Sequence, residues 1–310
     1  MYLHENRETF LNVLETVSKV SGIQADLVEK DYYVSLILKE IAASSDKAVF
    51  KGGTSLSKAL KVINRFSEDI DISFSEHIGA SRRKKLKYNI IAPIADKLGL
   101  VITNLDKTQS DRDINNYIFE YKPLCKSNAH IVPAVKVETS LVTAVFPFMA
   151  KPIGNYIADY AKDISLSDYG LEPFMMNVQA LERTLIDKIF AICDYYLTQK
   201  SRRLSRHIYD IHKILPLVKF DEHFKELLEK VREIRCSLDI CPSAKPGINI
   251  NQLLKEICEK NFFKQDYEGV TRFFIFDNTR YKDTIASLQK IIAIYYLVAI
   301  LFYNPRMNNE

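Results

Sequence analysis

FKGGTSLSKALKVINRFSEDIDISF, residues 50–74, brings a glycine pair, several hydroxyls, a lysine and two aspartates one residue apart into a single stretch. In Asp69-Ile70-Asp71 the two-residue period of a β-strand sends both carboxylates to one face and Ile70 to the other, so one face chelates while the other packs. Magnesium takes hard oxygen ligands, usually one or two carboxylates plus substrate phosphates, and manganese accepts the same donors. A second ion would complete the clamp used for in-line phosphoryl displacement. Upstream, Gly52-Gly53-Thr54-Ser55 lets the backbone turn sharply and brings N–H groups close to an anion, because no Cβ stands in the way. Leu56, Leu60 and Ile63 follow at helical spacing, which predicts a helix opening at the glycines with its N–H groups towards phosphate. Lys58 and Ser67 fall inside the stretch and join the candidate nucleotide-binding set. It is not a P-loop, since the spaced glycines and lysine-serine/threonine pair are missing. Taken singly, a GG turn is ordinarily a turn and a lone DxD a solvated strand end. Their succession is what reads as a nucleotide and metal site.

FKGGTSLSKAL followed by RFSEDIDIS resembles the first two motifs of the AbiEii/AbiGii toxin family, nucleotidyltransferase-like proteins of bacterial abortive-infection and toxin–antitoxin systems. The resemblance implies an α+β, polymerase-β-like core: a short helix after the glycines, a small mixed sheet carrying the acidic residues, and a helical remainder. By it Asp69 and Asp71 match the metal-binding pair, and Gly53, Thr54 and Ser55 the phosphate-cradling turn. The EKDYY stretch at Glu29 to Tyr33 is also similar to the family, with Lys30 and Asp31 as secondary candidates; a structural salt bridge is the plainer role for such charges. ALERTLIDK, with Asp187-Lys188, resembles a third motif, and Arg206-His207-Ile208-Tyr209-Asp210 a fourth, so the likeness runs over residues 28–215. It alone raises Lys188 and Arg206 to nucleotide-binding cations for triphosphate charge and Asp210 to a group that orients a lysine or the nucleophile. Without it, a lysine on an amphipathic helix is exposed by default, and Arg206 pairs with Asp210 four residues on. A polymerase-β-like site takes a third carboxylate from a neighbouring strand. Glu138, on the polar face of VKVE, is the natural occupant, although pairing with Lys136 explains it equally.

The chain has 310 residues, 47% hydrophobic and 26% charged, an ordinary globular balance with room for two domains. The net charge of +4 permits a polyanionic partner without requiring one. Five scattered cysteines without a CxxC pair argue against structural zinc or a disulfide framework. No secretion signal opens the chain, so a cytoplasmic location is expected.

Residues 6–20 put Phe10, Val13, Leu14, Val17 and Val20 on one helical face, and a second helix follows, with Asp26 as its expected cap. Arg82 to Lys85 form a basic run that reads as a solvated face and as the best local polyanion contact. Three strand-like runs follow, at residues 99–107, 116–124 and 129–143. Pro147, Pro152 and Gly154 punctuate a turn-rich segment, and from Asn177 onward the pattern is helical. Two domains are therefore expected: residues 1–160, the N-terminal helices and core, and residues 161–310, a helical domain completing the cleft. The terminal apolar run at 291–303 is too short for a membrane span, which needs about 20 residues.

The function expected from this reading is magnesium-dependent transfer of a nucleotidyl group from a nucleoside triphosphate to an RNA, such as a tRNA 3′ end, or to a protein hydroxyl. Phosphotransfer on the same fold, with Ser67 as self-acceptor, and a non-catalytic nucleotide-binding regulator remain open. A cognate antitoxin is implied by the resemblance, and no membrane partner is expected.

Overall fold

The computed structural model describes residues 1–109, 112–126, 131–141 and 144–301. The chain divides into two compact units, one of Met1–Lys61 with Phe66–Ala180, the other of Val62–Arg65 with the residues from Leu181 onward.

The first unit is built on a mixed seven-stranded sheet. Two helices precede it. α1 (Arg7–Ser21) is capped by the Asn6 side chain and closed by Gly22 at φ 74°. It buries Phe10, Leu14 and Val17, whereas Val20 at its end is exposed. α2 (Ala25–Ser44) starts after Gln24, so Asp26 lies in its first turn and does not cap it. This helix is buried on all sides from Asp26 to Leu38, charges included, because it packs against α1 and the sheet.

β1 (Ala48–Lys51) runs into α3 (Gly52–Lys58), and β2 (Ile70–Phe74) pairs antiparallel with β1. The helix expected to carry Leu60 and Ile63 stops at Lys58, and Lys61 takes φ 54°. The chain leaves the helix because residues Val62–Arg65 pair elsewhere, in the second unit. After β2 the basic run forms α4 (Ala80–Lys85), continued by a π turn at Leu86–Ile91 and by α5 (Ala92–Leu98), which has a proline in its first turn.

β3 (Val101–Ile102), β4 (Ile114–Glu120) and β5 (Ala134–Ser140) arise from the three strand-like runs. The segment that reads as turns holds β6 (Phe148–Ile153), the short α6 (Tyr156–Tyr160) and β7 (Phe174–Gln179). β6 tolerates Pro152 because it is the last strand in the order β3-β4-β5-β2-β1-β7-β6, with no ladder on its outer side among the described residues. Asn177 to Gln179, which read as helix, extend β7, since parallel pairing of Asn177 and Val178 with β1 outweighs local pattern.

The second unit is helical: α7 (Leu181–Leu197), α8 (Arg206–Ile214), α9 (Glu222–Cys236), α10 (Ile250–Glu259), α11 (Lys264–Gly269) and α12 (Tyr281–Leu301). Its core joins Leu185, Ile189 and Ile192 of α7 to Ile208 and Ile211 of α8, Leu254 and Ile257 of α10, and Leu288 and Ile291 of α12. The end of the apolar run, residues 302–303, lies outside the described residues. Val62–Arg65 adds to this unit as an extended segment. Arg65 bridges Ile275, the Phe276 N–H donates to the Asn64 carbonyl at 3.0 Å, and the Asn64 N–H donates to the Tyr209 hydroxyl at 3.1 Å. All five cysteines are free thiols. Among the described residues no helix is long and apolar enough to cross a membrane.

Candidate active site

The first unit's candidate residues meet where β1 turns into α3 against β2. Register places Lys51 opposite Asp71, Asp71 opposite Glu138, and Glu138 opposite Asn116. Directly paired residues share a sheet face, so these four side chains form one row across β1, β2, β5 and β4. Asp69 stands two residues before Asp71, just ahead of β2, and both aspartates are half-buried. Gly52 has φ 78°, and a Cβ there would come within 2.0 Å of Asp71 Oδ2. The turn therefore requires glycine twice over, for its backbone angle and for the carboxylate lying against it.

The hydroxyls of the turn face inward. Thr54 Oγ1 lies 2.9 Å from Ser67 Oγ and 2.5 Å from the Asp69 carbonyl, and the Ser55 hydroxyl donates to the Gly52 carbonyl at 2.9 Å. Thr54 and Ser55 are buried at 1% and 0% exposure, and Ser67 is buried as well. These groups tie the glycine turn to the residues leading into Asp69.

Lys58 is also turned inward. Its ammonium sits 2.5 Å from Asp31 and 2.8 Å from the Ser35 hydroxyl, and burial pushes its pKa below the usual lysine value although Asp31 opposes this. The other oxygen of Asp31 accepts the Tyr156 N–H at 2.9 Å. Lys30 pairs with Glu68 at 2.6 Å and donates to the Val132 carbonyl. Glu29 accepts the N–H groups of Leu124 and Cys125, while burial raises its carboxyl. The EKD charges thus brace the core, Lys30 through the residue next to Asp69.

The donor chemistry fits a hard divalent cation: carboxylate oxygens on one face, beside a turn that a Cβ would block. Among the described residues no three acidic, histidine or cysteine side chains are gathered at one point. Glu138 Oε2 lies 3.4 Å from Lys136, a half-exposed contact. Asp71 and Glu138 are therefore aligned by register without being closed together.

Lys51 and Asn116 were not among the residues singled out from sequence. Asn116 Oδ1 is a buried oxygen with no hydrogen-bond partner among the described residues, adjacent in register to Glu138. Their only sequence signal is an even spacing along their strands, which becomes informative once the register is known.

The second unit holds Lys188, Arg206 and Asp210. Asp210 is fully buried, taking Arg65 through Nε and Nη2 at 2.7 Å each, and Lys188 at 2.5 Å. Burial by itself would raise this carboxyl, but Arg65 and Lys188 outweigh it and hold the group far below the usual carboxylate range. Arg206 is half-buried one turn before Asp210. Burial, with the cations Lys188 and Arg206, pushes the pKa of His207 well below the usual imidazole value. Asp187, the neighbour of Lys188, accepts from Arg183 at 3.1 Å and Arg235 at 3.4 Å. The basic run of the first unit is partly answered by acids, Arg82 by Glu76 and Arg83 by Asp113.

A mixed sheet with acidic residues beside a glycine turn, followed by a largely helical region, defines a nucleotidyltransferase-like protein. Residues 36–286 match the family described as nucleotidyl transferase AbiEii toxin, type IV TA system, and the chain belongs to that family. Among solved structures it is similar to MenT4, a nucleotidyltransferase toxin from Mycobacterium tuberculosis. That likeness has a TM-score of 0.55 and 15% identity, covers 94% of this chain and 89% of that one, and speaks for the fold. No curated protein matches the chain.

Proposed function

We propose that the chain is a magnesium-dependent nucleotidyltransferase that moves a nucleotidyl group from a nucleoside triphosphate to an acceptor hydroxyl. The acceptor hydroxyl gives up its proton to solvent as its oxygen bonds to the α-phosphorus, the bond from that phosphorus to the leaving oxygen breaks, and pyrophosphate departs with the electron pair. The observation that carries this reading is the alignment of Asp71, which lies directly against Gly52, with Glu138. Asp69, Asp71 and Glu138 are the residues that would hold Mg2+, which when bound supplies charge neutralisation at the phosphates and at the attacking and leaving oxygens. Gly52 and Gly53 let the triphosphate approach the backbone, and Lys51 offers a cation on the same face. Lys58 and Ser67 serve by bracing the turn, since both are buried. Lys188 and Asp210 act as positioning residues: they grip Arg65, which leads into Ser67 and Asp69. Membership of a toxin–antitoxin family makes a cognate antitoxin the expected partner.

The test is incubation of purified protein with Mg2+, each α-labelled nucleoside triphosphate and total bacterial RNA, with Asp71→Asn alongside. Label on RNA from the wild type alone, abolished by EDTA, is the expected result and identifies base and acceptor together. Equal labelling by Asp71→Asn overturns the assignment. In a parallel incubation with γ-labelled nucleotide, label appearing on Ser67 would replace nucleotidyl by phosphoryl transfer.

A further inference from the structure

A second concavity lies wholly within the helical unit, formed by α11, the short helical turn at Thr271–Phe274 and the start of α12. It has a volume of about 510 Å3, and its lining includes Lys264, Arg272, Arg280 and Lys282 against the single carboxylate of Glu268. All four cations are exposed, while Tyr267 and Tyr281 are buried beneath them. Arg280 answers Asp283 at 3.4 Å, and Arg272 is braced by the carbonyls of Ile275 at 3.2 Å and Asp277 at 2.9 Å. Like charges gathered around one cleft repel one another, and bracing Arg272 on carbonyls keeps it there. An anion in the cleft relieves that repulsion.

Phe273, on that turn, and Phe276, two residues past its end, lie outside the cleft's lining and are exposed at 41% and 39%. Exposed phenylalanines on the stretch of chain between the two cleft arginines, Arg272 and Arg280, put flat faces for unpaired bases beside cations for phosphates, the two halves of a single-strand site. A duplex hides its base faces and gains nothing from exposed phenylalanines. An acidic peptide would use the cations and leave the rings idle.

We propose that this cleft docks single-stranded RNA, with Lys264, Arg272, Arg280 and Lys282 taking phosphates and Phe273 and Phe276 stacking on bases. It gives the second unit a role in holding an acceptor, and in that role it rests on the nucleotidyl-transfer reading above; the binding itself stands apart from it.

The experiment measures anisotropy of a fluorescein-labelled, unstructured RNA oligonucleotide titrated with the full chain, without nucleotide or Mg2+, over a series of salt concentrations. Lys264→Glu/Lys282→Glu is expected to weaken binding at least about tenfold and to flatten the slope of log affinity against log salt by about 1.4, or about 0.7 for each phosphate no longer neutralised. Phe273→Ala/Phe276→Ala should weaken binding about tenfold with the slope unchanged, since stacking releases no counterions. Lys19→Glu, an exposed charge change on α1, should leave binding as it is, and thermal melts confirm that every variant is folded. Unchanged affinity in both double variants overturns the proposal, as does duplex RNA or polyglutamate binding as tightly as the single strand. Asp71→Asn separates the two readings. If no transfer to RNA is found but cleft-dependent binding persists, the transfer reading alone fails. If transfer proceeds and Lys264→Glu/Lys282→Glu leaves the KM for RNA unchanged, the docking site alone fails.

Discussion

Gly52 concentrates the residue-scale argument, because one missing Cβ permits both a left-handed backbone angle and the approach of Asp71. A Cβ built there meets Oδ2 at 2.0 Å, so alanine must push the carboxylate aside. The backbone penalty is about 1 kcal/mol, which the fold can absorb. Displacement of a carboxylate by about 1 Å is far costlier to catalysis, on the order of 100-fold. Gly52→Ala should therefore melt within a few degrees of wild type yet lose about 100-fold in transfer rate, measured by pyrophosphate release. Retained activity would show that Asp71 has slack the turn does not reveal. Gly52 and Asp71 are legible as types in the sequence. Their contact is not, since it depends on Lys51 and Asp71 being register partners.

At the scale of elements, three buried ion pairs do the joining. Lys58 of α3 meets Asp31 of α2 inside the first unit, and Arg65 and Lys188 meet Asp210 of α8 inside the second. Breaking one partner of a buried pair strands a charge, at a cost of about 3–5 kcal/mol, whereas replacing both by apolar groups costs much less. Urea unfolding should accordingly find Asp31→Ala more damaging than Asp31→Leu/Lys58→Met. Asp210→Asn should destabilise by a similar about 3–5 kcal/mol at pH 7, because Arg65 and Lys188 then face a neutral amide. The sign of the acid response follows from the depressed carboxyl of Asp210. Its contribution is complete above the unfolded carboxylate pKa of about 3.9 and is lost as pH falls below that towards the folded value. The gap in stability between wild type and Asp210→Asn should hold from pH 7 to about pH 5 and narrow below about pH 4. A gap that stays constant down to about pH 2.5 would mean Asp210 is not the charged partner of Arg65.

At the scale of the whole molecule, the notable connection is that Val62–Arg65, far ahead in sequence, belongs with the helical unit. The helical unit made from residues 181–301 alone would lack the Arg65 pair with Asp210, the bridge to Ile275 and the Asn64 hydrogen bonds. That fragment should melt at a lower temperature than the same fragment with a peptide of residues 60–67 added, by roughly 10 °C for a loss of about 3 kcal/mol. An unchanged melting temperature on adding the peptide would make the segment a passenger of the unit.

The amphipathic helices α1, α7 and α9, the glycine turn, the DID strand and the runs behind β3, β4 and β5 were all determined by local spacing. Period and residue type express themselves within a few residues, whatever the rest of the chain does. Only tertiary structure decided that β6 could keep Pro152, because edge position is a property of the sheet. It likewise drew Asn177 into β7 by parallel pairing with β1 and ended α3 at Lys58, by giving the following residues partners in the other unit. The row of Lys51, Asp71, Glu138 and Asn116, and the meeting of Lys188 with Asp210 and Arg65, join residues dozens of positions apart. Periodicity says which way a side chain points from its own strand or helix. Which neighbour it then meets is set by register and packing, and those exist only once the chain has folded.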